Sequence, residues 1–316
     1  MQLEVISHVE TVTRLNPILF VHGAWHGAWC WENFLPYFAE RGYASYAVSL
    51  RGHGASEGRN GIRWHSASRG YVADLAQVAR TLDKPPILVG HSMGGYVVQK
   101  YLETHSAKAA ILLATIPVSG IFKFVMRYAS RHPSKFLKSL LLLNPWHMVE
   151  TAALTNESFF LPKVTAEENF RHFERLQSES FKMVLETMFL DLPRPEKVNA
   201  PMLVLGAAND NVFSIDEQQS TARAYGAEAE IFPDMAHDMM LEPDWRQVAD
   251  RILNWLQERE LSKRLQRVVN TSLDDRCQTI FREYSSHKPH HQKHSYHNKR
   301  HGDAGGYSDS HADPDA

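Results

Sequence analysis

Ile87-Leu88-Val89-Gly90-His91-Ser92-Met93-Gly94-Gly95 is the stretch on which the reading of the chain turns. Its three leading aliphatic residues make a strand too apolar to have one face in water, so it belongs inside a parallel sheet. The next five residues fit G-x-S-x-G. Small residues there permit a sharp turn and close approach of neighbouring backbones, leaving a serine hydroxyl exposed at the carboxyl end of the sheet. The pattern alone is short enough to arise by chance. Its context adds specificity, because an apolar strand precedes it and Tyr96 to His105 suits a helix. The competing reading is a glycine-rich turn that only connects two elements.

Working outward, Pro17 to Val21 reads as a short buried strand running into His22-Gly23. Glu32 to Arg41 suits a helix ended by Gly42, and Tyr43 to Leu50 returns as a strand leading to Arg51-Gly52-His53-Gly54-Ala55-Ser56. Tyr71, Val72, Leu75, Val78, Ala79 and Leu82 recur at helical spacing, and Pro85-Pro86 closes that helix. Ala109 to Ala114 is another buried strand. This alternation predicts an α/β fold with a mostly parallel sheet covered on both faces. The rhythm stops between 116 and 199, where the chain is helical, aromatic and lysine-rich, as expected of an insertion. It resumes with a strand at Pro201 to Leu205, a helix at Asp216 to Tyr225, a strand at Glu228 to Phe232 and a closing helix at Trp245 to Glu258. The expected organisation is a catalytic domain over 1–260 with a helical cap at about 116–199, then a C-terminal extension over 261–316.

The 316 residues are 43% hydrophobic and 22% charged, ordinary globular usage with ample material for a core. The formal charge of -2 gives no global drive toward nucleic acid. Cys30 and Cys277 lie far apart and are expected as free thiols. Residues 1–16 carry Glu4, His8, Glu10 and Arg14 and lack the apolar core of a secretory signal, so a soluble, cytoplasmic protein is expected. In the tail, His287, His290, His294, His297 and His301 recur at three and four, and imidazole suits zinc, copper or nickel. Pro289 and the polar surroundings oppose a fixed site, so a flexible solubilising tail is the expectation, with no metal or cofactor assigned.

A serine needs a base to take its proton and a third group to orient that base. In a G-x-S-x-G context these follow the serine as acid, then histidine. Asp210 lies just past the strand ending at Leu205, and His237, just past the last strand, is the only histidine between Asp210 and the tail. A carboxylate after the strand ending at Ala114 would be an alternative, but residues 115–120 contain none. Asp234 and Asp238 share the loop of His237 and are poorly placed to reach back to its imidazole. Negative charge on a reacting carbonyl oxygen calls for fixed N–H donors. Met93 N–H is one expected donor, and Ala24 N–H is preferred over Trp25 as the second; His22 reads as structural.

Four signatures in order carry a resemblance: His22-Gly23, the Arg51 to Ser56 loop, the Ser92 turn, and the Asp210 and His237 loops. Over roughly residues 3–260 the chain resembles the α/β-hydrolase superfamily, among its esterase, lipase and lysophospholipase-like members. The resemblance implies a mostly parallel sheet of about eight strands, a cap after the sixth, no cofactor, and structural rather than catalytic roles for Arg51 and His53. Val21 to Trp31 also resembles the loop of plant methylesterases and related hydroxynitrile lyases, which favours Ala24 as donor. Those lyases carry lysine directly after the catalytic histidine, where this chain has Asp238, and this disfavours cyanohydrin cleavage. Dehalogenases and epoxide hydrolases of the superfamily use an aspartate at the turn, and Ser92 argues against both.

The expected function is hydrolysis of carboxylic esters through an acyl-enzyme on Ser92, in the manner of an esterase, lysophospholipase or monoacylglycerol lipase. Acyl transfer by the same groups and a non-catalytic binding protein of this fold are the alternatives. The expected partner is a small ester or lipid. Lys123, Arg127, Arg131, Lys135 and Lys138 form nearly an i,i+4 row beside Phe122, Val125, Met126, Leu137 and Leu140. That row reads either as a solvated cap over the site or as a lid making weak contact with a membrane surface. Pro133 interrupts it, so one continuous helix is not expected. The sequence carries no reading of oligomeric state.

Overall fold

The aliphatic runs assemble into a seven-stranded sheet in the computed structural model, which describes residues 1–10 and 15–260. The strands are β1 (Val5–His8), β2 (Ile18–Val21), β3 (Ser45–Val48), β4 (Ile87–His91), β5 (Ala109–Leu113), β6 (Met202–Ala207) and β7 (Ala229–Phe232). Their order is β1-β3-β2-β4-β5-β6-β7, with β1 antiparallel to β3 and every other pair parallel. Every residue of β2, β4 and β5 is buried, as expected of central strands covered on both faces.

The expectation of eight strands is corrected to seven among the described residues. One of the seven, β1, was not foreseen either. Its residues Val5-Ile6-Ser7-His8 are mostly exposed, so the strand is defined by pairing to β3 and leaves no run of apolar residues to read.

The helices flanking the sheet are α1 (Phe34–Ala39), α2 (Val72–Ala79) and α3 (Met93–Leu102). Within residues 116–199 lie α4 (Phe122–Arg131), α5 (Pro133–Leu141), α6 (Ala152–Phe159), α7 (Ala166–Arg175) and α8 (Phe181–Leu185), with no strand. After β6 come α9 (Ile215–Ala224) and, beyond β7, α10 over 245–260. Pro133 occupies the first turn of α5 and splits the basic row into two helices. Helix α3 begins three residues earlier than propensity suggests, directly after Ser92. Gly94 and Gly95 are weak helix formers, but the packing requires them: a Cβ on Gly94 would lie 2.2 Å from the Val21 carbonyl oxygen.

The core beside β2 is aromatic, with the Phe20 ring 4.9 Å from Trp31, 6.0 Å from Phe34 and 5.8 Å from Phe38. Cys30 is a buried free thiol. No helix among the described residues is long and apolar enough to cross a membrane. Cys277 and the histidine-rich tail lie outside the described residues.

Candidate active site

Ser92 follows the carboxyl end of β4 with φ +50 and ψ -115, a conformation that L side chains rarely adopt. Such strain costs of order 1–3 kcal/mol and persists only where the surroundings enforce it. Here three glycines do so. A Cβ on Gly90 would come within 2.5 Å of the Gly94 carbonyl oxygen, one on Gly94 would strike β2, and one on Gly95 would lie 2.2 Å from Thr115 Oγ1. Backbone bonds from Ser92 N–H to Leu113 C=O (3.0 Å) and from Ile116 N–H to Ser92 C=O (3.1 Å) pin the turn to the end of β5.

The loops after β6 and β7 bring Asp210 and His237 together, with Asp210 Oδ2 accepting from His237 Nδ1 at 2.9 Å. The other carboxylate oxygen, Oδ1, accepts from the Val212 and Phe213 N–H groups at 2.7 and 3.0 Å. Both side chains are buried. Burial alone would lower the pKa of His237, but the Asp210 carboxylate, with a further contribution from Asp238, outweighs it and holds the imidazole above its ordinary value. The His237 ring stacks on Phe159 of α6 at 5.8 Å and meets Phe213 edge-on at 5.6 Å.

The loop after β2 approaches the serine closely. A Cβ on Gly23 would lie 3.2 Å from Ser92 Cβ, so only glycine lets this backbone come so near. Neither Ala24 N–H nor Met93 N–H has a hydrogen-bond acceptor among the described residues. Trp25 N–H, by contrast, points to Glu179 Oε2 at 3.3 Å.

The remaining candidates have structural surroundings. His22 donates from Nδ1 to the Gly23 carbonyl (2.8 Å) and accepts the Leu50 N–H at Nε2 (3.0 Å). Burial, aided by His53, pushes its pKa well below the usual histidine range. Arg51 grips Asp74 through its side chain and its backbone N–H. His53 Nε2 lies 3.1 Å from Glu179 Oε2. Asp238 does not orient His237; its Oδ2 accepts from His26 Nε2 at 3.0 Å and its Oδ1 lies 3.5 Å from His91 Nε2.

Sequence reading missed four groups here: His26, His91, Phe159 and Glu179. His26 and His91 lie inside motifs that were read for their neighbours, whereas Phe159 and Glu179 come from the insertion, which has no motif to flag them. His91, buried against His237, has its pKa lowered to about 3 and is neutral. Among the described residues His91, His237 and Asp238 form a possible metal-ligand cluster by proximity. One atom of each, however, is already engaged: His91 Nε2 by the His237 carbonyl, His237 Nδ1 by Asp210 and Asp238 Oδ2 by His26.

A strained serine and a buried imidazole oriented by a carboxylate are among the parts that nucleophilic acyl chemistry requires. A profile described as the alpha/beta hydrolase family matches residues 18–251. Methylesterase 3 of Arabidopsis thaliana is 29% identical over 126 residues, 39% of this chain and 44% of that protein. The match thus spans less than half of that relative. The probable esterase PIR7A of Oryza sativa subsp. indica is 27% identical over 235 residues, 68% of this chain and 76% of its own. A thermophilic esterase from Thermogutta terrifontis superposes with a TM-score of 0.62 at 19% identity, covering 81% of this chain and 93% of its own. At that identity the likeness speaks for the fold.

Proposed function

The chain belongs to the alpha/beta hydrolase family, and from that premise we propose that it hydrolyses carboxylic esters with Ser92 as nucleophile. His237 accepts the serine proton and delivers it to the leaving alcohol, Asp210 holds the imidazole in the tautomer with hydrogen on Nδ1, and the Ala24 and Met93 N–H groups receive the developing oxyanion. The Ser92 Oγ–carbonyl bond forms first, giving a tetrahedral oxyanion, and the ester C–O bond breaks as that oxyanion collapses. Water, activated by the same histidine, then releases the acid. The observation that carries this reading is the 2.9 Å bond between His237 and Asp210, on loops that leave the carboxyl ends of their strands as the strained Ser92 does. The methylesterase and esterase names of its relatives support the same class.

The acyl group meets aromatic surroundings. Trp25 lies 5.9 Å from Phe159, and both Phe159 and Phe213 flank the His237 ring. This favours an apolar acyl chain, whether on a simple ester or on a lysophospholipid or monoacylglycerol. The surface-contact reading of the cap is favoured by the outward apolar groups of α4 and α5, where Phe122, Met126, Leu137 and Leu141 are all exposed. The test is turnover of a series of p-nitrophenyl esters and lysophospholipids by the wild type and by Ser92→Ala. Turnover abolished by the substitution is the expected result. Retention of it would remove Ser92 as the nucleophile, and inertness of the wild type toward every ester would remove the proposal in favour of a binding role.

A further inference from the structure

The loop carrying the proposed oxyanion donor Ala24 is held by buried ionisable side chains from two distant parts of the chain. Trp25 has φ +65, a left-handed conformation that costs an L-residue roughly 1–2 kcal/mol. It is over-determined by its neighbours. On one side, His26 Nδ1 donates to the Ala24 carbonyl at 2.7 Å and His26 Nε2 to Asp238 Oδ2 at 3.0 Å. On the other side, Trp25 N–H points to Glu179 Oε2 at 3.3 Å, and the Trp25 carbonyl accepts the Gln177 N–H at 2.8 Å. Glu179 is itself fixed by the Tyr71 hydroxyl (2.7 Å) and the Ser180 N–H (2.6 Å). His26, Asp238 and Glu179 are all buried.

We propose that Glu179 and Asp238, the latter acting through His26, are positioning residues that clamp the Ala24–Trp25 peptide from its N–H and C=O ends and thereby aim Ala24 N–H at the oxyanion. The clamp rests on the esterase reading of the site. Its logic is that a single peptide plane gripped at both ends cannot rotate, and rotation of that plane would carry the adjoining Ala24 N–H out of line. Asp238 directly follows His237, so the same link ties the oxyanion loop to the base loop. Glu179 follows α7 in the insertion, so the cap holds the other end. Glu179 bears on the Trp25 N–H, whereas Asp238, besides gripping His26, lies close enough to the His237 ring to raise its pKa. Both are held below their ordinary pKa: burial would raise each, but His53, the Ser180 N–H and the Tyr71 hydroxyl together outweigh it at Glu179, as do His26, His91 and His237 at Asp238.

The test uses the full chain with p-nitrophenyl acetate, comparing Asp238→Asn, Glu179→Gln and the double variant. Each single substitution is expected to lower kcat about 10- to 100-fold, the scale of a misaimed oxyanion donor, with KM within about twofold. Because both act on one peptide, the double variant should fall less than about threefold below the weaker single. Should Asp238→Asn not fold, His26→Asn replaces it. Its amide can still reach the Ala24 carbonyl, so it should retain more kcat than His26→Ala. Hydrogen exchange at the amides of residues 23–27 provides a readout independent of turnover and should accelerate in each variant. Unchanged exchange, fully multiplicative kcat losses, or lost stability with kcat per folded molecule intact would overturn the clamp. If the wild type neither turns over the ester nor acylates Ser92, it is the esterase reading that fails, and exchange alone decides whether the clamp exists.

Discussion

Replacing Asp210 by asparagine tests the proposed base through a consequence of the local geometry. In the native loop Oδ1 is held by two N–H groups, from Val212 and Phe213 at 2.7 and 3.0 Å, and only Oδ2 faces His237. Asparagine would keep its carbonyl oxygen on those two donors, which forces its NH₂ group toward His237 Nδ1. Nδ1 must then accept, the ring proton moves to Nε2, and the base that should take the Ser92 proton is blocked. The lost attraction between the carboxylate and the imidazolium formed during reaction adds to this. At about 4 Å and an effective dielectric of about 20 it is worth roughly 4 kcal/mol, or about 10³ in rate. Together the two effects predict a fall in kcat of about 10³–10⁴.

The pH profile gives an independent reading of the same pair. A base must be neutral, so activity is lost as pH falls through the histidine pKa. Asp210 raises that pKa above the ordinary 6.5, so the acid limb of kcat/KM in the wild type should lie above 6.5. Without Asp210 burial acts with little opposition and the limb should move downward. The assay is p-nitrophenyl ester hydrolysis from pH 5 to 9 on both proteins, at low salt to keep screening constant. An Asp210→Asn enzyme within tenfold of wild type, with its acid limb at the same pH, would refute the reasoning.

Other perturbations separate positioning from stability. Gly94→Ala places a methyl group 2.2 Å from the Val21 carbonyl oxygen, and we expect at least about 2 kcal/mol of overpacking in chemical denaturation together with lost turnover. Arg51→Lys breaks a forked contact to buried Asp74; a loss of about 2 kcal/mol should lower the thermal midpoint by several degrees while kcat per folded molecule is kept. Sedimentation with anionic vesicles should carry down the wild type and release Leu141→Asp, since Leu141 is 72% exposed; a wild type left in the supernatant would argue for the solvated cap.

How far the sequence could be read depended on whether structure was encoded locally. The central strands β2, β4 and β5 announce themselves because burial on both faces demands uninterrupted aliphatic residues. Ser92 is legible because the close approach of its turn leaves room only for glycine. Asp210 and His237 could be located by their places just past strands. Strand β1 could not, because its pairing with β3 comes from backbone hydrogen bonds that its exposed side chains do not advertise. Phe159 and Glu179 escaped for a related reason: the insertion has no strand-helix rhythm, and their positions beside His237 and Trp25 arise from tertiary packing across more than 70 residues of sequence. Asp238, weighed and set aside as an orienting acid, proved to have a different partner, His26, 212 residues away.

The central claim is that Ser92 forms the covalent intermediate, and the most direct measurement is intact-protein and peptide mass spectrometry after exposure to a fluorophosphonate. A single adduct mapped to Ser92, absent in Ser92→Ala and slowed in His237→Ala, is the predicted result. An unlabelled wild type, or an adduct at another residue with ester turnover surviving in Ser92→Ala, would contradict the account.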